Sequence, residues 1–475
     1  MEESVLAPEA TAVAMRNAQR PESGRVPSLH GLRSQARNLG QLLGSHVVVG
    51  VAGLASLPVL ARNFGSEAYG RFSLFLLLLG ALSNLDIARP ILVRELSRGS
   101  AEGHRTPDEE TATALAATSA WLLGGAALAL GLLISSPLVA GVLAVAVFLH
   151  ALTAAPFARL SAEGRVGVAG SIRNAYWALA LVAIVAASFV TRSPHAWVWA
   201  FAGSNALILA TYLRVSPIPV ATFRLPHLPS IARFRVQAKD VFLFALASAV
   251  VASCDRLLLE ANATASAFGH YAGQYDLAIK INVVSAAVCS VVYPSFSRLH
   301  ADEGGDAASA QFVRLVSRVA TLYFVGLAVL IVAHDQILEL VFGSAFASGV
   351  DLDVYAFLLV GVFLHLFGFL ITPYQRARGD FRTHRVAYMC SAGLMLVIGV
   401  LAIPRYGAAG AIATYLCARL AEVALIAIEV RRMPREVLPA WKVITLAGMV
   451  LTLAALAWLA FDGRLDAALP WRVRS

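Results

Sequence analysis

Residues 137–158 read PLVAGVLAVAVFLHALTAAPFA, a run without Asp, Glu, Lys or Arg that ends against Arg159. A helix needs about 20 apolar residues to cross a hydrocarbon core roughly 30 Å thick, and this stretch is long enough. Segments of this kind recur thirteen times, near 39–61, 69–93, 112–135, 137–158, 174–191, 195–213, 240–260, 274–297, 319–334, 354–373, 386–403, 408–430 and 443–461. In hydrocarbon a segment must satisfy its own backbone N–H and C=O groups, which makes each of them an α-helix. The chain therefore reads as an all-α polytopic membrane protein. Its 475 residues, 58% hydrophobic content and mean hydropathy of +0.71 exclude an ordinary soluble protein.

The basic residues orient it. Lys and Arg collect in short loops on the cytoplasmic face of a membrane protein. With residues 1–38 cytoplasmic, that face carries 27 of the 38 Lys and Arg, and the opposite face seven. The remaining four, Arg89, Arg256, Lys280 and Arg419, fall inside the segments. The formal charge of +9 is then explained by basic loops against anionic lipid headgroups and calls for no nucleic acid. Residues 1–38 are polar and Arg-rich with no apolar core, a cytoplasmic tail and not a cleaved signal. Cys254, Cys289, Cys390 and Cys417 all lie within apolar segments without CxxC spacing, so they read as small helix residues and neither disulfides nor metal ligands.

The clearest internal boundary is 215–237, a basic stretch broken by Pro217, Pro219, Pro226 and Pro229. It separates six segments from the next six. A short repeat supports the division: Glu67-Ala68-Tyr69-Gly70-Arg71-Phe72 follows the first segment, and Ser266-Ala267-Phe268-Gly269-His270-Tyr271 follows the seventh. Six is even, so two such halves enter the membrane in the same sense, as in transporters built from parallel repeats. The expected organisation is a tail at 1–38, a six-helix bundle at 39–214, a linker at 215–237, a second six-helix bundle at 238–431, and one accessory transmembrane helix with its tail at 432–475. The longest outer loop, 335–353, contains the apolar piece 337–343, expected as a short interfacial helix.

Ionisable groups at bilayer depth cost several kcal/mol unless they face protein or water, which makes them candidates for function. Arg419 and Glu422 lie deepest. They share a helical face at i,i+3 and can neutralise each other, as can Asp86 with Arg89 and Asp276 with Lys280. Asp255 and Arg256 are adjacent, point about 100° apart and need partners on another helix; Asp276 and Lys280 offer the cross-helix pairs Arg256–Asp276 and Asp255–Lys280. This cluster either locks a conformation or binds an anionic headgroup. Asn84, Asn174, Tyr176, Trp177, Asn205, Asn282, Tyr323 and Tyr415 can contact sugars or simply pack helices.

Several segments resemble the oligosaccharide and polysaccharide flippases of the multidrug/oligosaccharidyl-lipid/polysaccharide (MOP) exporter superfamily. In the first half the resemblance rests on residues 57–65, LPVLARNFG, on Ala68-Tyr69-Gly70, on Asp86-Ile87-Ala88 and on Arg94-Glu95-Leu96. In the second it rests on Asp255-Arg256-Leu257-Leu258-Leu259, Phe268-Gly269-His270-Tyr271, Tyr293-Pro294-Ser295-Phe296-Ser297, Val341-Phe342-Gly343 and residues 403–411, IPRYGAAGA. It implies a two-lobed bundle in a bacterial inner membrane that carries an undecaprenyl-diphosphate-linked glycan to the outer leaflet by alternating access. It implies no catalytic step, cofactor or metal, and polysaccharide polymerase and export machinery as further partners. Arg419, Lys280, Arg256 and Arg89 are then the candidate contacts to the diphosphate, and Asp255, Asp276, Asp86 and Glu422 the candidate pairing or gating groups.

Other functions make different demands. A cation-coupled drug exporter of the same superfamily requires buried acids in the first half, where the first segment offers only Gln41, Ser45 and His46. A peptidoglycan-precursor flippase shares the same chemistry. A membrane polymerase or acyltransferase requires large outer loops or a catalytic cluster, and His334-Asp335 stands without a nucleophile. A non-transporting assembly subunit has no use for interior charge. His46 and Glu422 are conceivable proton sites by position alone.

Overall fold

The computed structural model describes residues 29–86, 88–89, 91–92, 108–134, 136–163, 165–191, 194–216, 235–282, 318, 321, 323–343, 352–377, 382–430 and 450. Among these there is no β-strand. The helices are α1 (Leu29–Asn84), α2 (Asp108–Ile134), α3 (Pro137–Leu152), α4 (Ala154–Ala162), α5 (Val166–Ser188), α6 (Pro194–Val215), α7 (Arg235–Asn262), α8 (Ala265–Ile279), α9 (Tyr323–Val332), α10 (His334–Phe342), α11 (Leu352–Ala377) and α12 (Arg382–Val430). Seven helices among the described residues are long and apolar enough to cross a membrane, or eight if α9 and α10 form one broken span.

Two of the seven are hairpins. The apolar part of α1 runs 45 residues and that of α12 runs 42; at 1.5 Å per residue a straight helix of either length would exceed 60 Å, twice the hydrocarbon thickness. Each is broken at a glycine whose backbone only glycine adopts readily, Gly65 (φ 74°, ψ 172°) and Gly407 (φ 55°, ψ −126°). Contacts fix the reversal at Gly65. Gly167 and Gly170 of α5 lie so close to Asn38 and Leu42 that a Cβ would overlap them. Further along, Asn174 Nδ2 donates to Ser45 Oγ (2.9 Å) and Asn63 Nδ2 to Ser188 Oγ (2.9 Å). The arm 29–64 therefore runs parallel to α5. Past the break, Phe72 and Phe75 pack on Phe201 of α6, which runs back. In α12, Gly399 meets Thr414 and Gly410 meets Ala402, a spacing only a hairpin permits.

Gly343, which closes α10, has φ 80°. Among the described residues the three positive-φ glycines each follow an aromatic residue, Phe64, Phe342 and Tyr406. Arg62 Nη2 donates to Leu340 O at 2.5 Å, tying the Gly65 turn to α10, and α10 leaves α9 at 74°, the short helix expected within 335–353.

The structure moves some expected boundaries. The segment read as 274–297 begins at Ala265, where Thr264 Oγ1 accepts from Ala267 N at 3.2 Å and caps α8; its first turn, 265–267, is exposed, and Ser266, His270 and Tyr271 lower the hydropathy of a stretch that meets α1 at Gly269. The segment 137–158 divides at Thr153 into α3 and α4. Cys254, Cys390 and Cys417 are free thiols. Most of the tail 1–38, nearly all of the linker 215–237, the accessory segment 443–461 apart from Val450, Cys289 and residues 293–297 lie outside the described residues.

Candidate functional site

Three of the four cations assigned to the interior are paired with carboxylates. Arg419 Nη1 lies 2.7 Å from Glu422 Oε2, Arg89 Nε 3.3 Å from Asp86 Oδ2, and Arg256 Nη1 3.5 Å from Asp276 Oδ1. The neutralisation expected within one turn thus holds for Arg419 with Glu422 and Arg89 with Asp86, and the expected cross-helix pair Arg256–Asp276 is present. Glu422 and Asp255 are fully buried, and burial of an ion is tolerable only with a partner in contact.

The pair Asp255–Lys280 is not formed. Tyr271 OH donates to Asp255 Oδ2 at 2.8 Å, a neutral donor one helix away that stands nine residues, about two and a half turns, before Lys280 on α8. Asp276 and Lys280 do not pair either, since both carboxylate oxygens of Asp276 are taken: Oδ1 by Arg256, and Oδ2 by Tyr69 OH and Ser73 Oγ of α1, each at 3.0 Å. Lys280 turns instead to the arm 29–64. A Cβ on Gly53 would stand 3.0 Å from Lys280 Nζ, so the missing side chain at Gly53 makes room for the ammonium. Among the described residues Lys280 has no carboxylate partner. Gly53 is twelve residues from Gly65, roughly 18 Å along the helix at 1.5 Å per residue, close to the middle of a bilayer-spanning arm.

The polar interior of the later helices is continuous. His365 Nδ1 lies 2.8 Å from Arg419 Nη1 and 3.5 Å from Glu422 Oε1. The Arg419 guanidinium carbon is 5.1 Å from the Tyr415 ring centre, that ring is 5.6 Å from Tyr275, and the Arg256 carbon is 4.1 Å from Tyr275. Arginine over aromatic faces gains cation–π attraction. Tyr275 OH, Asp255 Oδ1, Arg256 Nε and Arg419 Nε are buried without a hydrogen-bond partner among the described residues, so this interior retains unused donors and acceptors.

α1 and α8 also meet at the Gly65 end, where the two repeated hexapeptides lie against each other. Ser66 Oγ and Ser266 Oγ are 2.8 Å apart. A Cβ on Gly70 would lie 3.0 Å from Gly269 Cα, and one on Gly269 would overlap the Ser66 carbonyl. Glycine at both positions lets the backbones touch, the close approach that small residues give membrane helices. With Tyr69 and Ser73 on Asp276, this makes a seam between the helices before residue 217 and those after 234.

At the opposite end Arg89 Nη2 reaches His150 Nε2 (3.3 Å), His150 O (3.3 Å) and Thr153 Oγ1 (3.0 Å). Arg173, counted by the loop pattern with the cytoplasmic residues, lies inside α5 with its guanidinium carbon 5.9 Å from the Phe157 ring. Most of the polar and aromatic side chains considered for sugar contact serve packing. Asn174 donates to Ser45, Asn205 Nδ2 to Phe201 O (3.1 Å), and Tyr323 OH to Ile281 O (3.3 Å). Tyr176 OH pairs with Thr211 Oγ1 (2.8 Å), and Trp177 packs on Phe201. Tyr415 alone among them sits on an interior cation. Sequence reasoning missed His365, Tyr69, Ser73, Tyr271, Tyr275 and Arg173. A basic residue seven positions into an apolar helix was the one available signal, and it concerned Arg173.

A family model described as polysaccharide biosynthesis protein matches residues 114–351. Among solved structures the chain is similar to the lipid II flippase MurJ in an inward closed conformation, with 12% identity and TM-score 0.64 over 90% of this chain and 96% of that one. It is also similar to a multidrug resistance MATE family transporter of the MOP superfamily in an inward-facing conformation, with 13% identity and TM-score 0.57 over 87% of this chain and 96% of that one. A MOP superfamily transporter from Pyrococcus furiosus Vc1 matches with 14% identity and TM-score 0.51 over 89% and 97%. No curated protein sequence matches the chain. At these identities the likeness establishes the fold, an all-helical membrane architecture shared with MOP superfamily transporters.

Proposed function

This chain belongs to the polysaccharide biosynthesis protein family, and from that membership we propose that it flips a lipid-linked oligosaccharide or polysaccharide repeat unit from the cytoplasmic to the outer leaflet of a bacterial inner membrane. The two halves, 39–214 and 238–431, act as six-helix lobes that alternate access, with the N-terminus cytoplasmic. The substrate is of the undecaprenyl-diphosphate type, its lipid remaining in the bilayer while its headgroup crosses between the lobes. The work is transport without a chemical step, and polymerase and export machinery take the product.

Lys280 carries the reading. It stands at mid-depth where the lobes face each other, against Gly53, and no described carboxylate offsets it. An uncompensated cation at that depth is costly without an anion to meet it, and a diphosphate supplies one. Arg256 and Arg419, though paired, line the same interior with unused Nε–H donors. Asp276 closes the seam at the Gly65 end, which in this orientation is the outer end, consistent with an interior that loads from the cytoplasm.

The test is leaflet accessibility of lipid-linked oligosaccharide in cells carrying Lys280→Gln at wild-type membrane levels, beside cells depleted of the protein. Cytoplasmic-side accumulation in both is expected. A wild-type leaflet distribution in depleted cells would refute flipping, and a wild-type distribution in Lys280→Gln alone would remove Lys280 from it.

A further inference from the structure

We propose that Arg173 and Arg89, set about the ring of Phe157, form a second anion site inside the first group of helices, and that it takes a phosphoryl group. This site is separate from Lys280: it lies within one helix group and at the end opposite Gly65.

The two guanidinium carbons lie 5.2 Å and 5.9 Å from the same Phe157 ring centre, so at most about 11 Å separates them. Arg89 is held on one side by Asp86, His150 and Thr153. Arg173 has no hydrogen bond or ion pair among the described residues, and the Phe157 ring is its contact. Among the described residues two guanidiniums thus share a single carboxylate, Asp86. The other titratable groups in reach add no negative charge: Tyr212, which donates its hydroxyl to Ala169 O (2.6 Å), His46 on α1, and His150, whose Nε2 accepts from Arg89 and so bears no proton.

A helix group that buries one more cation than anion is incomplete by itself, because a buried charge needs a partner in contact. The donor set selects the partner. Guanidinium forks match tetrahedral oxyanions through charge-assisted bonds of roughly 2.8 Å, and within the 11 Å bound one phosphate or one diphosphate bridges both forks. Position points the same way: Arg173 is seven residues into α5, roughly 10 Å from its start at 1.5 Å per residue, in the third of the helix nearest that end, within reach of a lipid phosphoryl group. Two sources of that chemistry meet there, the phosphodiester of an anionic phospholipid and the diphosphate of a lipid-linked glycan; the second rests on the function proposed above, the first does not.

The full chain in phosphatidylcholine nanodiscs provides the test, with binding read by native mass spectrometry and thermal shift. Farnesyl diphosphate, with farnesol as control, probes the diphosphate source, and nanodiscs doped with phosphatidylglycerol probe the phospholipid. Expected is binding of at least one phosphoryl probe and not of farnesol, weakened at least tenfold by Arg173→Gln and less by Arg173→Lys. Dependence on Arg173 for farnesyl diphosphate assigns the glycan carrier, and for phosphatidylglycerol alone a leaflet lipid. Equal binding of every phosphoryl probe by wild type and Arg173→Gln, or no binding by either, overturns the site. If Arg173→Gln is not monodisperse, Arg173→Lys decides, since the loss of the fork must weaken binding at least threefold. Binding is read without transport, so a failed leaflet assay leaves this result standing, and an Arg173 that binds nothing leaves the role of Lys280 intact.

Discussion

Tyr69→Phe should loosen the seam at the Gly65 end while leaving both helix groups folded. Tyr69 is buried, its hydroxyl donates to Asp276 Oδ2 at 3.0 Å, and its ring packs edge-on to Phe72 with centres 6.3 Å apart. Phenylalanine keeps the ring contact and deletes the donor. A hydrogen bond to a charged group contributes about 1.5–3 kcal/mol, and the loss falls on the closed arrangement alone, because a parted seam lets water reach Asp276. At about 1.4 kcal/mol per factor of ten, the open population rises roughly 10- to 150-fold. Ser73 provides the reporter: it is 1% exposed in the closed seam, so a cysteine there reacts with an impermeant maleimide only when the seam opens. Labelling of Ser73→Cys with and without Tyr69→Phe gives the ratio directly. A ratio below twofold, with equal amounts of protein in the membrane, would refute the latch and return Asp276 to a purely structural partner of Arg256.

Three further predictions concern other parts of the molecule. Gly53→Val places side-chain atoms where Lys280 Nζ now lies, so flipping measured by leaflet accessibility should fall as far as in Lys280→Gln while the amount of protein stays near wild type. Arg419→Met alone should cost about 3–5 kcal/mol by leaving Glu422 buried without its arginine, with only His365 beside it; in a thermal-stability cycle Arg419→Met with Glu422→Leu should recover most of that loss. Gly65→Ala and Gly407→Ala force L residues into glycine backbone geometry at about 1–3 kcal/mol each, so both should lower detergent-extracted yield, whereas Gly44→Ala, with open space around it, should not.

The membrane helices and the turns between them were legible because their cause is local. Apolar run length sets a crossing, and the gaps at 62–68 and 404–407 between runs fall where α1 and α12 reverse, at Gly65 and Gly407. Intrahelical pairs were legible for the same reason: Arg419 and Glu422 are one turn apart whatever surrounds them. The start of α8 was not, because Ser266, His270 and Tyr271 depress its hydropathy and only the close approach of Gly269 to Ser66 and Gly70 of α1 ties it to the bundle.

The sequence by itself thus determined an all-helical membrane protein, its basic loops and the two matching hexapeptides. Tertiary structure decided what the interior charges do. Asp276 could have paired with Lys280 one turn away, but three donors on two other helices saturate it, and Lys280 is left to the groove at Gly53. The loop count placed Arg173 outside the apolar segments, and the structure sets it within α5 with no carboxylate partner among the described residues. A charge's partner depends on which helix stands opposite at its depth, and that is a property of packing between segments far apart in the chain.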